Sequence, residues 1–193
     1  MYPNDVQVHT LISEEQLRQK VVELGCRISS DYAGRELIVV GILKGSWIFL
    51  ADLVRQLTVP VFIDFMTVSS YGASTRTSGV VKTVMDLKCP LEQRHVLVVE
   101  DILDSGLTLK YILKNLTLRN PASLKLCVLL DKPARRRADI KADYVGFVIP
   151  DHFVVGYGAD YAERFRNLPY VGYIEKGAGD SKAKTEERIE ETG

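Results

Sequence analysis

A chain of 193 residues that is 46% apolar can bury one substantial core and hardly two, so a single domain is expected. Its 25 Lys and Arg balance its 25 Asp and Glu, which excludes a global field for a polyanion such as nucleic acid and requires any phosphate recognition to be local. Cys26, Cys89 and Cys127 stand far apart, with no C-x-x-C pair and no zinc-finger spacing, which argues against a disulfide scaffold and for a reduced cytosol. The opening MYPNDVQVHT lacks the charged and apolar regions of a signal peptide, and no apolar run reaches the roughly 18 residues of a membrane span. The expectation is a soluble cytoplasmic protein with no membrane partner.

In chain order, Ser13 with Gln16 three residues on forms a capping box, and Leu17, Val21, Leu24 and Ile28 follow at helical spacing, predicting a helix to about Asp31. LIVVGIL at 37–43 is a continuous apolar run rich in Val and Ile, as a strand buried on both faces of a parallel sheet requires. A second helix is predicted from about Ser46 to Leu57. Further strands are predicted at 61–68, 95–100 and 124–130, with an amphipathic helix from about Ser105 to Leu118 between the last two. Strands alternating with helices argue a doubly wound α/β sheet.

Two segments break that rhythm. SSYGASTRTSG at 69–79 is polar, rich in Gly and Ser, and longer than a hairpin needs, so it reads as a lid or as a flexible surface connection. After Lys176 the tail has almost nothing to bury, and disorder is expected over 176–193. The folded domain is expected over 1–175.

In an open parallel sheet, ligands sit at the carboxyl ends of strands, which directs attention to VLVVEDILDSGLTLKYIL at 96–113. Here Glu100 and Asp101 are expected to emerge from the strand end, and Asp104, Ser105, Gly106, Leu107 and Thr108 lead into a helix. Backbone N–H groups, two hydroxyls and a glycine at a helix N-terminus make an anion cradle. Three carboxylates beside it would repel a lone phosphate. They make sense if they hold sugar hydroxyls, Mg²⁺ or a substrate proton, which points to a sugar phosphate or nucleotide. Neither a P-loop string nor a complete G-x-G-x-x-G occurs; GYGADY at 156–161 ends in tyrosine. A receiver domain would place its acidic pair near the N-terminus, several strands before the lysine, whereas here one helix and one strand separate Asp101 from Lys132-Pro133.

At 96–108 the string VLVVEDILDSGLT resembles in full the signature of the type I phosphoribosyltransferases. Leu43-Lys44-Gly45-Ser46, SSYG, LLDKP, ADYVGF and IPDHFVVGYGADYAERFRNLP narrow the resemblance to the hypoxanthine-guanine phosphoribosyltransferases, over about residues 10–175. The resemblance implies a doubly wound, mostly parallel sheet with a small hood from the chain ends and a long mobile loop. It implies transfer of ribose 5-phosphate from 5-phosphoribosyl 1-pyrophosphate to N9 of a 6-oxopurine, with Mg²⁺ present, in a homodimer or homotetramer.

By the same resemblance, Asp104 to Thr108 would hold the 5-phosphate, Glu100 and Asp101 the ribose hydroxyls directly or through Mg²⁺, and Asp104 would manage the proton at the purine N7. Lys44, Gly45 and Arg166 would take the pyrophosphate, with Asp160 helping to hold metal; the peptide bond before Lys44 is often cis in the family. Lys132 would donate to the purine O6, Phe153 would stack on the ring, and the backbone at Val154 and Asp160 would meet its exocyclic edge. Ser70 and Tyr71 would close as part of the lid. His152 stands where lysine or asparagine is frequent, which leaves its ligand contact open, and Arg135, Arg136 and Arg137 read as a solvated charged turn or a subunit contact. Orotate and adenine enzymes would share the 96–108 string without Lys132-Pro133 and FVVGYGADY; xanthine stays open as a substrate. A nucleotide-binding regulator of RNA on this fold is disfavoured by Lys44, Asp104 and Arg166 and by the zero net charge.

Overall fold

The computed structural model describes residues 6–70 and 81–174. The chain runs β1 (Val8–Ile12), α1 (Glu14–Asp31), β2 (Leu37–Leu43), α2 (Trp47–Val54), β3 (Val61–Ser70), β4 (Val81–Met85), β5 (His95–Leu103), α3 (Leu107–Thr117), β6 (Ser123–Asp131), β7 (Tyr144–Val148), β8 (Phe153–Val155) and β9 (Val171–Ile174). A six-stranded sheet has the order β4-β3-β2-β5-β6-β7. It is parallel throughout except for β4, which pairs antiparallel with β3.

The sheet divides the core by side-chain alternation. Val39, Leu97, Val99, Cys127 and Leu129 face α1 and α2, while Ile38, Val40, Val96, Val98 and Val128 face α3 with its Leu109, Ile112 and Leu116. Burial of both faces is what the unbroken apolar runs at 37–43 and 96–99 require. Helix α1 starts on the expected capping box: the Ser13 hydroxyl accepts from Gln16 N at 3.2 Å and Gln16 Oε1 accepts from Ser13 N at 2.8 Å.

A smaller antiparallel sheet, β1-β9-β8, joins the two chain ends into a hood. The strand order reverses direction between β2 and β5, since β3 lies on one side of β2 and β5 on the other. That reversal places a crevice at the carboxyl ends of the two strands. Strand β2 pairs with β3 as far as Leu43↔Thr67 but with β5 only to Gly41↔Val99, so the last residues of β5 line an opening.

The elements differ from expectation at three boundaries. Helix α2 is shorter than 46–57. Helix α3 begins at Leu107 because Gly106, at φ 78°, turns the chain in the left-handed region that favours glycine. Strand β5 continues past Glu100 and Asp101 to Leu103 because β6 offers pairing partners as far as Asp131. The two acids therefore sit within the strand rather than beyond it. Of the segment 69–79 expected as a lid, residues 71–79 with Tyr71 lie outside the described residues, as does the tail at 176–193; Ser70 closes β3.

Candidate active site

The crevice floor is acidic. Glu100 Oε2 and Asp104 Oδ1 are buried and have no hydrogen-bond partner among the described residues, a costly arrangement for oxygens that a ligand does not satisfy. Burial drives the Glu100 carboxyl well above the usual carboxylate range, and the Asp101 charge adds to the rise. Asp101 is pushed up to about 6 by burial, with Asp160 adding, against the opposing pull of the backbone amides and Arg166. Its Oδ1 accepts from Ile102 N at 3.0 Å.

Those shifts have a consequence for stability. An acid with a folded pKa above its unfolded value of 3.8 binds protons better in the folded state, so stability falls as pH rises from about 4 to about 6 and stays lower above that range. Asp101→Asn is therefore expected to melt above the parent at pH 8 in the presence of a chelator, by about 1–3 kcal/mol. The margin should shrink toward pH 4. A variant melting below the parent at pH 8 would contradict the burial argument.

Beyond β5, residues 104–108 turn into α3, and Asp104, Ser105, Gly106 and Thr108 border a cavity of about 260 Å³ that Ile42, Leu43 and Glu100 also line. A Cβ on Gly106 would lie 2.6 Å from Ile140 Cγ2, so the turn is packed against the 133–140 segment as well as left-handed. The Ser105 carbonyl accepts from Arg137 N and Ala138 N at 2.9 and 3.0 Å.

On the opposite wall the Leu43-Lys44 peptide bond is cis. A Cβ on Gly45 would fall 2.1 Å from Asp101 Oδ2, and one on Gly158, which has φ 106°, 2.0 Å from Gly45 O. Only glycines allow these three segments to meet. Arg166 donates to Gly158 O at 2.8 Å and pairs with Asp160 at 2.9 Å. Lys44 and Arg166 both reach Glu163, at 3.0 and 3.3 Å, and those cations hold its carboxyl below the usual range, Lys44 most strongly. Glu163 has no part in the sequence reading.

The third wall carries Lys132, which is buried at 5% exposure directly after β6. Its Nζ donates to His152 O at 2.7 Å, with Asp151 at 3.7 Å. Phe153 is 46% exposed and meets Tyr161 edge-on at 5.6 Å; Val154 is buried in β8. Lys132, His152, Phe153 and Tyr173 border a cavity of about 530 Å³. The His152 ring stacks on Tyr173 at 4.5 Å, so the hood engages it.

The three arginines part company, which corrects the reading of 135–137 as a solvated turn. Arg135 pairs with Asp151 at 2.6 Å and Arg137 is exposed, but Arg136 is turned inward. It donates to Asp104 O at 2.9 Å, Leu103 O at 3.0 Å and Ile140 O at 3.1 Å and pairs with Asp131. Nothing in a triple arginine marks its middle member; only the packing of 133–140 on the turn at Gly106 does.

The phosphoribosyl transferase domain family matches residues 10–162. The hypoxanthine-guanine phosphoribosyltransferase of Bacillus subtilis is 49% identical over 181 residues, covering 94% of this chain and all of that protein. The hypoxanthine phosphoribosyltransferase of Haemophilus influenzae is 49% identical over 170 residues, 86% of this chain and 95% of that protein. Among solved structures, a hypoxanthine-guanine phosphoribosyltransferase from Bacillus anthracis superposes with a TM-score of 0.84 at 49% identity, covering 89% of this chain and 100% of that one. A hypoxanthine phosphoribosyltransferase from Staphylococcus aureus superposes with a TM-score of 0.85 at 48% identity, covering 89% and 93%.

Proposed function

The chain belongs to the phosphoribosyl transferase family, among the hypoxanthine-guanine phosphoribosyltransferases of purine salvage, and on that premise we propose how its own residues divide the work. The reaction moves ribose 5-phosphate from 5-phosphoribosyl 1-pyrophosphate to N9 of hypoxanthine or guanine, giving IMP or GMP and pyrophosphate. The observation that carries the division of labour is the pair of enclosed, unpartnered carboxylate oxygens on Glu100 and Asp104 beside the turn at Ser105–Thr108.

In this reading the turn from Asp104 to Thr108 binds the 5-phosphate through backbone N–H groups and hydroxyls at the start of α3. Glu100 and Asp101 accept hydrogen bonds from the ribose hydroxyls. Asp104 takes the proton near the purine N7 as N9 becomes nucleophilic. The same acids favour the positive charge that develops on the ribose ring. Lys44, Gly45 and Arg166 receive the pyrophosphate.

No group of three or more His, Cys, Asp or Glu gathers as a metal cage among the described residues. That suits Mg²⁺, which takes one or two carboxylates and completes its octahedron with substrate oxygens and water. Glu100, with its unpartnered oxygen, and Asp101 fit that requirement. Asp160 contributes less directly, because its carboxylate already holds Arg166 and Glu163 N. When bound, the ion supplies neutralisation of charge gathering on the departing pyrophosphate.

Lys132 spends one donor on His152 O and, having donors only, selects a 6-oxo group, while Phe153 offers its exposed ring for stacking and the Val154 and Asp160 backbone meets the exocyclic edge. Lys132→Gln, which adds an acceptor, is expected to lower kcat/KM for hypoxanthine about 10- to 100-fold and to narrow its lead over adenine. Parallel initial rates with the two bases check it. The proposal extends to a single domain and to a homodimer or homotetramer in the cytoplasm. No helix is long and apolar enough to cross a membrane among the described residues.

The test is nucleotide formation from 5-phosphoribosyl 1-pyrophosphate and Mg²⁺ with hypoxanthine, guanine, xanthine, adenine and orotate in parallel. Turnover confined to the 6-oxopurines is the expected result. Turnover with adenine or orotate, or no turnover with any of the bases, would overturn the reading.

A further inference from the structure

We propose that Glu163 is a built-in substitute for pyrophosphate: in the empty site its carboxylate occupies Lys44 and Arg166, and it competes with pyrophosphate for them. This rests on the reading of Lys44 and Arg166 as the pyrophosphate subsite. Lys44 comes from the end of β2 and Arg166 from the segment before β9, yet both converge on Glu163 Oε2, at 3.0 and 3.3 Å. One oxygen of this chain thus sits between the two cations that the reading assigns to a polyanion.

A purely structural role for that oxygen is poorly supported. Arg166 is already held by Asp160 at 2.9 Å and by Gly158 O at 2.8 Å, so its placement does not depend on Glu163. The Glu163 side chain is 65% exposed and that of Lys44 66%, and such pairs are weak. Weakness suits a group that a more highly charged anion must displace.

The backbone, in contrast, is committed. Ala162, Glu163 and Phe165 have φ of 50°, 62° and 71°, in the left-handed region that L side chains rarely adopt. The turn is held by Glu163 N donating to Asp160 Oδ2 at 2.8 Å and by a Tyr161↔Arg164 bridge. It brings an acid to two cations on the same wall of the crevice, next to the contact of Gly158 with Gly45.

Three outcomes follow for the full-length protein titrated calorimetrically with inorganic pyrophosphate and Mg²⁺. Glu163→Gln keeps the shape and removes the charge, and is expected to bind pyrophosphate about three- to tenfold more tightly, with KM for the phosphoribosyl donor falling in parallel. Lys44→Met should weaken binding, and adding Glu163→Gln to it should recover less than the single change gains. A merely structural Glu163 would loosen the subsite when altered, so tightening is a result it does not yield. Unchanged or weaker binding by Glu163→Gln, with Lys44→Met still weakened and both variants melting near the parent, would overturn the inference alone. Unchanged binding by Lys44→Met and by Arg166→Met would overturn the subsite and the inference with it.

Discussion

Asp104→Asn is expected to lower kcat by about 10²- to 10⁴-fold, the range a positioned proton acceptor contributes, while leaving KM for 5-phosphoribosyl 1-pyrophosphate within about threefold of the parent. The split follows from where the residue's two functions reside. Its backbone belongs to the turn that enters α3, and the Asp104 carbonyl is fixed by Arg136 at 2.9 Å; neither feature depends on the side chain. The side chain presents Oδ1 to the crevice, enclosed and without a hydrogen-bond partner among the described residues. Asparagine fills the same volume and can still accept or donate a hydrogen bond, but it cannot take a proton from the purine. Steady-state rates at saturating donor, with donor binding measured separately, distinguish the two functions. Near-normal kcat would remove Asp104 from the role of base, and a large rise in KM would mean that the carboxylate is part of the phosphate cradle.

What was legible in the sequence was local. The capping box at Ser13 and Gln16 and the apolar run at 37–43 depend on neighbours within a few positions, and both stand where they were expected. The acids and the phosphate turn lie within one string, 96–108, and so could be found together. The hood was reached only through family resemblance, because β1 pairs with β9, and β8 with β9, across strands of three to five residues too short for a period to show. The end of β5 was misjudged for a related reason. Glu100 and Asp101 look like residues leaving a strand, yet pairing with β6 carries the strand on to Leu103, and the price is two acids held in a place that raises their pKa values. The place of Glu163 and the inward turn of Arg136 are not legible in the sequence because their partners come from other segments: Lys44 for the one, Leu103 O and Asp104 O for the other.

Arg136→Met is expected to be the most damaging single change to the phosphate turn, lowering stability by about 3–5 kcal/mol and raising KM for the phosphoribosyl donor at least tenfold. The guanidinium joins four acceptors: Leu103 O, Asp104 O, Ile140 O and the Asp131 carboxylate. Its side chain is 19% exposed and that of Asp131 20%, so methionine would leave a largely enclosed carboxylate unpaired and take a donor from three carbonyls, of which Leu103 O keeps Lys132 N. For a chain of this length the loss corresponds to roughly 6–20 °C in melting temperature. The functional effect has a separate origin. By binding the carbonyls of residues 103 and 104, Arg136 fixes the peptide planes at the entrance to the turn whose N–H groups, in the proposed reading, face the 5-phosphate. Arg136→Lys separates the two effects: a single ammonium keeps the charge opposite Asp131 but lacks the planar fork that spans several acceptors. Stability should then recover most of the way while KM for the donor stays several-fold high. A lysine variant with a parental KM would show that charge alone orders the turn, and a methionine variant with parental stability would show that the buried pair contributes nothing.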